Sequence, residues 1–458
     1  MATPRNTNAK VVITYGTFDL FHDGHRSILK RARELGSRLI VAVTSDGFDA
    51  GRGKLNVHNT LVERIGGVQS SGFADQIIVE EYEGQKINDI KKYHVDVFTV
   101  GSDWTGSFDY LSTHCEVVYL ERTAGISSTR LRGEVRLGII GCGRIAKRFV
   151  LEAKFVSGVR ICGVLPRSQK SIVAFAKEVG SIHYFDTLQS LLTAVDAVYI
   201  ASPHLTHAYY TRAALESGKH VLCEKPLCLI QSEAQDLYAV AASRGVTFLE
   251  AIKTAFMPGF RQMVAIALSG EIGSICSVDA TCTMLRDPTG REFDATQAGG
   301  SITELASYPL LAIVRLLGID SHNIDSISCR SIVHAQSGVD IFSRIDIQSD
   351  TAIATATMAL GAKAEGDLVV AGTKGYIYVP APWWLMRSFQ LRFEDTSRNR
   401  TISTIMEGDG LRYELAEFVK MVHRVRMESP DLTPRESCVI AGCIEKARAT
   451  RQVIGCRD

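Results

Sequence analysis

The sequence predicts an α/β chain in three portions: a Rossmann-like α/β sandwich, a second doubly wound parallel sheet, and an α+β portion with a large, mostly antiparallel sheet. Three observations carry this. Short β-branched runs alternate with helical stretches up to about Arg130, a second alternating series starts at Arg136, and beyond about Met257 longer strands follow one another with few helices between. Strands that alternate with helices pair in parallel through helical crossovers, whereas strands joined directly pair antiparallel. At 458 residues the chain exceeds the roughly 250–300 residues at which a single core stops growing.

In the first portion the expected strands are Lys10–Thr14, Arg38–Thr44, Asp75–Val79, Asp96–Val100 and Glu116–Leu120, with helices over Gly24–Leu35 and Gln85–Tyr93. Leu131–Val135 is the candidate linker. The second series runs through Arg136–Ile140, Val159–Val164, Ala197–Ile200, His220–Cys223 and Val246–Glu250, a doubly wound pattern. The third has strands at Ser274–Leu285, Ile324–Val333, Asp340–Ile347, Thr351–Leu360 and Asp367–Val370. Its tail returns to helix at Tyr413–Val425 and Arg435–Arg451, with Thr433 as N-cap and Pro434 as first helical residue. The expected domains are 1–132, 136–256 and 257–458, the C-terminal helices returning to the second.

Charge excludes some partners. Fifty-one Lys and Arg balance 50 Asp and Glu, so no long-range field draws a nucleic acid or an acidic membrane. The 11 cysteines show no C-x-x-C pair, which predicts reduced thiols and no structural zinc. Neither a signal-peptide core nor an apolar run near the roughly 20 residues of a membrane span is present, and a cytoplasmic protein is expected.

The first chemical motif is Gly16-Thr17-Phe18-Asp19-Leu20-Phe21-His22-Asp23-Gly24-His25, where a strand ends and a helix begins. A helix N-terminus offers free N–H donors, Gly24 admits a phosphate close to the backbone, and two imidazoles can donate to its oxygens. Further on, Arg122-Thr123-Ala124-Gly125-Ile126-Ser127-Ser128-Thr129 combines a cation, a glycine and hydroxyls after a strand. Together with Gly101-Ser102-Asp103-Trp104, these segments resemble the glycerol-3-phosphate cytidylyltransferases of the nucleotidyltransferase superfamily over about Lys10 to Arg130. The resemblance implies that Thr17, Phe18, His22, His25, Lys54, Asp103, Arg122, Gly125, Ile126, Ser127, Ser128 and Thr129 bind CTP, with His22, His25 and Arg122 stabilising the transition state. Arg52, Arg64 and Lys86 fall where the family holds triphosphate and substrate phosphate. A phosphomonoester is already anionic near neutral pH, so alignment and charge stabilisation, with Mg2+ on the CTP phosphates, supply the rate. The family usually has a second Asp where Ser102 stands, and its last basic helix is truncated here. The plain alternative for Asp103-Trp104 is a turn followed by a core aromatic.

The second motif, Gly141-x-Gly143-x-x-Ala146, follows a strand and opens a helix, the context of a dinucleotide fingerprint, with Arg144 and Ile145 between. At the end of the next strand Arg167 and Ser168 stand where an acidic residue would bind the ribose of NAD. A cation there favours NADP, with NAD as the alternative. Ser202-Pro203-His204-Leu205-Thr206-His207 and Glu224-Lys225-Pro226 end two further strands, where ligands of open α/β sheets lie. These residues resemble the glucose-fructose oxidoreductase and inositol dehydrogenase family (Gfo/Idh/MocA) from about Arg136 onward. By that resemblance Ser202, His204, His207 and Glu224 border the cofactor, and Lys225, Glu304 and Tyr308 are catalytic. Glu304 and Tyr308 lie one helical turn apart and share a face. The ammonium of Lys225 is expected to favour the ionised phenol of Tyr308. Glu304 stands in place of the more frequent Asp, and Ala298 in place of a glycine. A buried helix-packing Tyr308 is the plain alternative.

The two resemblances imply a bifunctional enzyme. An NADP-linked reductase converts a ketose phosphate to a polyol phosphate, and a cytidylyltransferase activates it as a CDP-polyol for polysaccharide synthesis. The rivals are a non-catalytic dinucleotide-binding sensor or dimerisation module, or two unrelated activities merely fused. Partners are expected to be small molecules, CTP and the polyol or ketose phosphate, with a homo-oligomer, dimer or tetramer, implied by both families.

Overall fold

β-Branched residues on both faces of successive strands call for a sheet covered on both sides, and the computed structural model contains one in each half of the chain. It describes residues 10–51, 57, 59–82, 84–121, 134–320, 326–424 and 426–457. The chain divides into Met1–Glu134 and Val135–Asp458.

The first unit carries β1 (Val11–Gly16), β2 (Arg38–Thr44), β3 (Gln76–Glu80), β4 (Val97–Gly101) and β5 (Glu116–Leu120), all parallel, in the order β3-β2-β1-β4-β5. Side chains alternate between two cores. Val12, Leu39, Val41 and Val97 pack on one face, and Ile13, Ile40 and Phe98 on the other. The order reverses about β1, so the strand-end crevice lies where β1 runs out into Gly16–His25. The helix Leu61–Ser70 has no counterpart in the sequence expectation, although its capping box, Thr60 with Glu63, is a readable start signal.

The second unit begins with β6 (Val135–Ile140), β7 (Val159–Leu165), β8 (Ala197–Ile200), β9 (His220–Glu224) and β10 (Phe248–Ala251), parallel, in the order β10-β9-β8-β6-β7. Nine further strands form one sheet: β11 (Ile275–Thr283), β12 (Ser328–His334), β13 (Asp340–Gln348), β14 (Ile353–Ala359), β15 (Leu368–Gly372), β16 (Tyr376–Val379), β17 (Ser388–Arg392), β18 (Arg400–Ser403) and β19 (Gln452–Arg457). Their order is β18-β17-β16-β15-β11-β14-β13-β12-β19. The sheet is antiparallel except where β11 pairs with β14 and β12 with β19, so it is mixed. The strand β19 departs from the expected all-helical tail: the helix Pro434–Thr450, capped by Thr433, gives way to an extended edge strand.

Two C-terminal helices pack back on the parallel sheet. Arg412 at the start of the helix Leu411–Arg424 forms a buried bidentate pair with Glu152, at 3.0 Å to each carboxylate oxygen. Glu445 accepts from the backbone N–H of Gln231 at 2.8 Å. No single helix among the described residues is long and apolar enough to cross a membrane.

Candidate active sites

In the first unit the loop after β1 is held in an unusual backbone path, with Phe18 at φ 54° and Leu20 at φ 46°. A side chain tolerates such values at a steric cost, accepted mainly where the loop must hold a defined shape. Asn59 fixes the loop, its side chain accepting from Leu20 N–H and its own N–H donating to Asp19, both at 2.9 Å. His22 then caps the helix Asp23–Glu34, its Nδ1 accepting from the N–H of Gly24 (3.0 Å) and of His25 (3.3 Å). An accepting Nδ1 places the ring proton on Nε2, and burial lowers the imidazole's pKa. His22 thus acts as a neutral Nε2–H donor. The ring of His25 stacks on it, centroids 3.9 Å apart, and Phe18 packs edge-on against His25 at 5.5 Å.

Two residues expected at the phosphate are turned inward. Arg64 is fully buried and donates to the carbonyls of Thr17 (2.7 Å), Thr44 (2.8 Å) and Asn59 (3.2 Å) and to Asp46. Its guanidinium also lies 3.9 Å from the buried Asp49, which accepts from the Thr17 hydroxyl at 3.2 Å. The sequence pattern reads an Arg as a ligand, but five directional donors suit it equally to tying three loops together. Lys86 is likewise buried, paired with Glu80 and lying 4.6 Å from the ring centroid of Tyr15. Trp104, on the turn after β4, is 55% exposed and is no core aromatic. The backbone of Asp103 lies in the same turn. Arg52, Lys54, Arg122, Gly125, Ile126, Ser127, Ser128 and Thr129 lie outside the described residues.

In the second unit the ends of β6, β8, β9 and β10 open on a cavity of about 630 Å3. Gly141 enters it at φ 107°, where an added Cβ would stand 2.4 Å from the carbonyl oxygen of Ala201. Beyond Gly143 the space is open, and the helix Arg144–Ala153 has no side-chain cap at its N-terminus. Uncapped N–H donors facing a cavity, with Arg144 beside them, fit a dinucleotide pyrophosphate. Ile145 lines the same cavity, while Ala146 is buried beneath it. Arg167 lines the cavity at the end of β7, and Ser168 caps the helix Gln169–Val179. The residues present therefore fit NADP.

Several expected cofactor contacts have structural tasks. His207 bridges two strand-end loops, its ring nitrogens each 2.8 Å from a carbonyl, of Pro226 and Ser202; burial lowers its pKa to about 4. Ser202 accepts from the Thr206 hydroxyl at 2.8 Å. Glu224 is buried, accepting from the Tyr199 hydroxyl at 2.5 Å and from Lys225 N–H at 3.2 Å.

Glu304 and Tyr308, expected to be catalytic, come from another part of the chain. The segment expected as one helix breaks at Ala306 into Ser301–Leu305 and Ser307–Leu317, yet Glu304 and Tyr308 both line the cavity. Lys225 Nζ donates to the backbone carbonyl of Glu304 at 2.8 Å and lies 5.6 Å from the Tyr308 ring centroid. The expected ionised phenol is corrected: burial drives the Tyr308 pKa well up, with Glu224 adding to the rise, so the side chain is a neutral hydroxyl. Glu304 behaves oppositely. Burial pushes its pKa up, but the His204 hydrogen bond and the charges of Lys225 and Arg291 outweigh it and hold the carboxyl down at about 2. His204 Nε2 lies 3.0 Å from its Oε1, and Arg291 Nη2 lies 2.8 Å from the same oxygen. Arg291 and Trp384, both lining the cavity, carry no sequence motif and were not anticipated.

These features define a nucleotidyltransferase and an NAD(P)-dependent oxidoreductase in one chain. Residues 13–136 match the cytidylyltransferase-like family and residues 135–251 the Gfo/Idh/MocA oxidoreductase family with its NAD-binding Rossmann fold. The first unit is 46% identical over 126 residues to the glycerol-3-phosphate cytidylyltransferase of Staphylococcus aureus, spanning 28% of this chain and 95% of that protein. The second is 26% identical over 329 residues to the scyllo-inositol 2-dehydrogenase (NADP(+)) of Bacillus subtilis, spanning 70% of this chain and 98% of that one. Its fold matches a 3-ketoreductase from Actinomadura kijaniata, solved with NADP and TDP-benzene, with a TM-score of 0.63, 21% identity, and 70% and 99% of the two chains covered. The chain belongs to the first family through its N-terminal unit, and in its C-terminal part it carries a Gfo/Idh/MocA oxidoreductase domain over residues 135–251.

The glycine turn gives a direct test. Gly141→Ala adds a methyl group against the Ala201 carbonyl at a φ that alanine avoids, and is expected to weaken NADPH binding at least about 10-fold in a fluorescence titration. Unchanged affinity would show that this turn does not hold the cofactor.

Proposed function

We propose that the two sites act in succession: the second unit reduces a ketose phosphate with NADPH, and the first converts the resulting polyol phosphate, with CTP, to a CDP-polyol and pyrophosphate. The observation that carries the reading is the meeting of Lys225 and Tyr308 in the cavity that Gly141 and Arg144 enter. When bound, the dinucleotide supplies hydride to the carbonyl carbon. Tyr308, a neutral phenol, donates its proton to the carbonyl oxygen, and Lys225 steadies the charge that develops there. A protonated Tyr308 suits reduction, where the site must give a proton. The phenolate left behind regains its proton from solvent between turnovers.

In the first unit a phosphate oxygen of the polyol phosphate attacks the α-phosphorus of CTP, and the bond to the β-phosphate oxygen breaks as pyrophosphate leaves with Mg2+. We assign the stabilisation of that displacement to the Nε2–H of His22 and the ring of His25 at a helix N-terminus, with the Arg122–Thr129 segment as the remaining expected phosphate ligand. The nearness of the first unit to a glycerol-3-phosphate cytidylyltransferase favours a polyol phosphate as the acceptor.

Incubation of the full chain with CTP, Mg2+, NADPH and a panel of ketose phosphates tests the succession. One ketose phosphate is expected to drive both NADPH oxidation and pyrophosphate release. If polyol phosphates give CDP-polyols but no ketose phosphate oxidises NADPH, the succession is wrong.

A further inference from the structure

Of the several buried polar atoms of the second unit without a hydrogen-bond partner among the described residues, two belong to side chains held by Glu304: Nδ1 of His204 and Nη1 of Arg291. Both side chains line the cavity that contains Lys225 and Tyr308. Native proteins rarely leave such atoms unpaired, and an unpaired pair in a cavity wall is commonly completed by a ligand. The chemistry of each atom is fixed. His204 directs Nε2 at a carboxylate, so Nε2 carries the ring proton and Nδ1 presents a lone pair, while Arg291 can only donate. Burial, the largest influence on His204, lowers its pKa and keeps the ring neutral. Two side chains that line the cavity therefore carry one unpaired acceptor and one unpaired donor, both locked by a single carboxylate.

An isolated carbonyl can accept but not donate and leaves the His204 atom unsatisfied. A hydroxyl does both. We propose that His204 and Arg291, positioned by Glu304, form a subsite for hydroxyl groups flanking the reacting carbonyl, so that the reductase selects α-hydroxyketones over simple ketones. This rests on the second unit acting as a carbonyl reductase. It assigns His204 to the substrate, whereas its position at the end of β8 alone suggested the cofactor.

The test uses the full chain, NADPH, and three- and five-carbon 2-ketoses with deoxy analogues that lack the free hydroxyls on both carbons flanking the carbonyl, each with and without the terminal phosphate. Wild-type protein is expected to favour the hydroxylated member of a pair by at least about 100-fold in kcat/KM, a floor set below the roughly 10⁴–10⁵-fold by which a site built for a hydroxyl rejects its absence. In His204→Phe the preference is expected to fall below about 10-fold, while NADPH affinity measured by fluorescence titration changes less than about 3-fold. Equal use of the deoxy analogues by the wild type overturns the subsite and leaves the reductase reading standing. Use of hydroxyketones only in their unphosphorylated form retains the subsite and overturns the ketose phosphate. Loss of NADPH binding in His204→Phe with preference intact returns His204 to the cofactor, and no reduction of any hydroxyketone overturns both readings.

Discussion

Replacing Tyr308 with phenylalanine is expected to lower kcat for NADPH-dependent reduction by about 10²–10⁴-fold, the usual contribution of a positioned acid, while CTP turnover on added polyol phosphate stays at the wild-type rate. The change removes one oxygen and keeps the ring, which stacks near Trp384 with centroids 6.4 Å apart and lies close to Lys225. The substrate's KM should therefore move little. Because burial raises the phenol's pKa, the reductive rate is expected to show no loss near neutral pH from ionisation of Tyr308. The acid remains protonated throughout that range. If Tyr308→Phe leaves kcat intact, another group donates the proton and the assignment fails.

Arg64→Met is expected to destabilise the first unit by about 3–5 kcal/mol, the cost of leaving a buried partner unpaired. Asp49 loses the cation beside it, and the carbonyls of Thr17 and Thr44 lose their donors. Calorimetry should show the transition of that unit lowered by at least about 10 °C, with reductase activity retained at moderate temperature. A phosphate ligand would behave differently, raising KM without moving the transition. The two roles proposed for this arginine are thus separated by one melting curve.

Architecture was legible wherever the hydrophobic period was long and regular. The alternation of Val12 and Ile13, or of Ile40 and Val41, between two cores is written directly in the run of β-branched residues. The edge strand β19 was not legible, since six residues following a long helix carry little periodicity of their own and depend on β12 for pairing. The site divided along similar lines. Motif residues such as Gly141, Lys225 and Tyr308 are found at one cavity because their spacing reflects backbone constraints. Arg64 and Lys86 were read as ligands because sequence displays charge but not direction, and only packing decides whether a guanidinium faces solvent or the chain's own carbonyls. Arg291 was invisible for the converse reason: it sits in a loop with no motif and gains meaning from Glu304.

The contact between Lys225 and the carbonyl of Glu304 has a thermal consequence. Lys225 follows β9 of the parallel sheet, whereas Glu304 and Tyr308 come from helices packed on the nine-stranded sheet. The groups proposed to react are thus shared between two layers, and their spacing depends on how firmly those layers stay registered. Slight loosening of one layer against the other would pull Lys225 and Tyr308 apart while each sheet stayed folded. Reductase activity should accordingly fade on warming several degrees before the heat-absorption peak of the second unit, making the catalytic rate a finer gauge of that packing than melting itself.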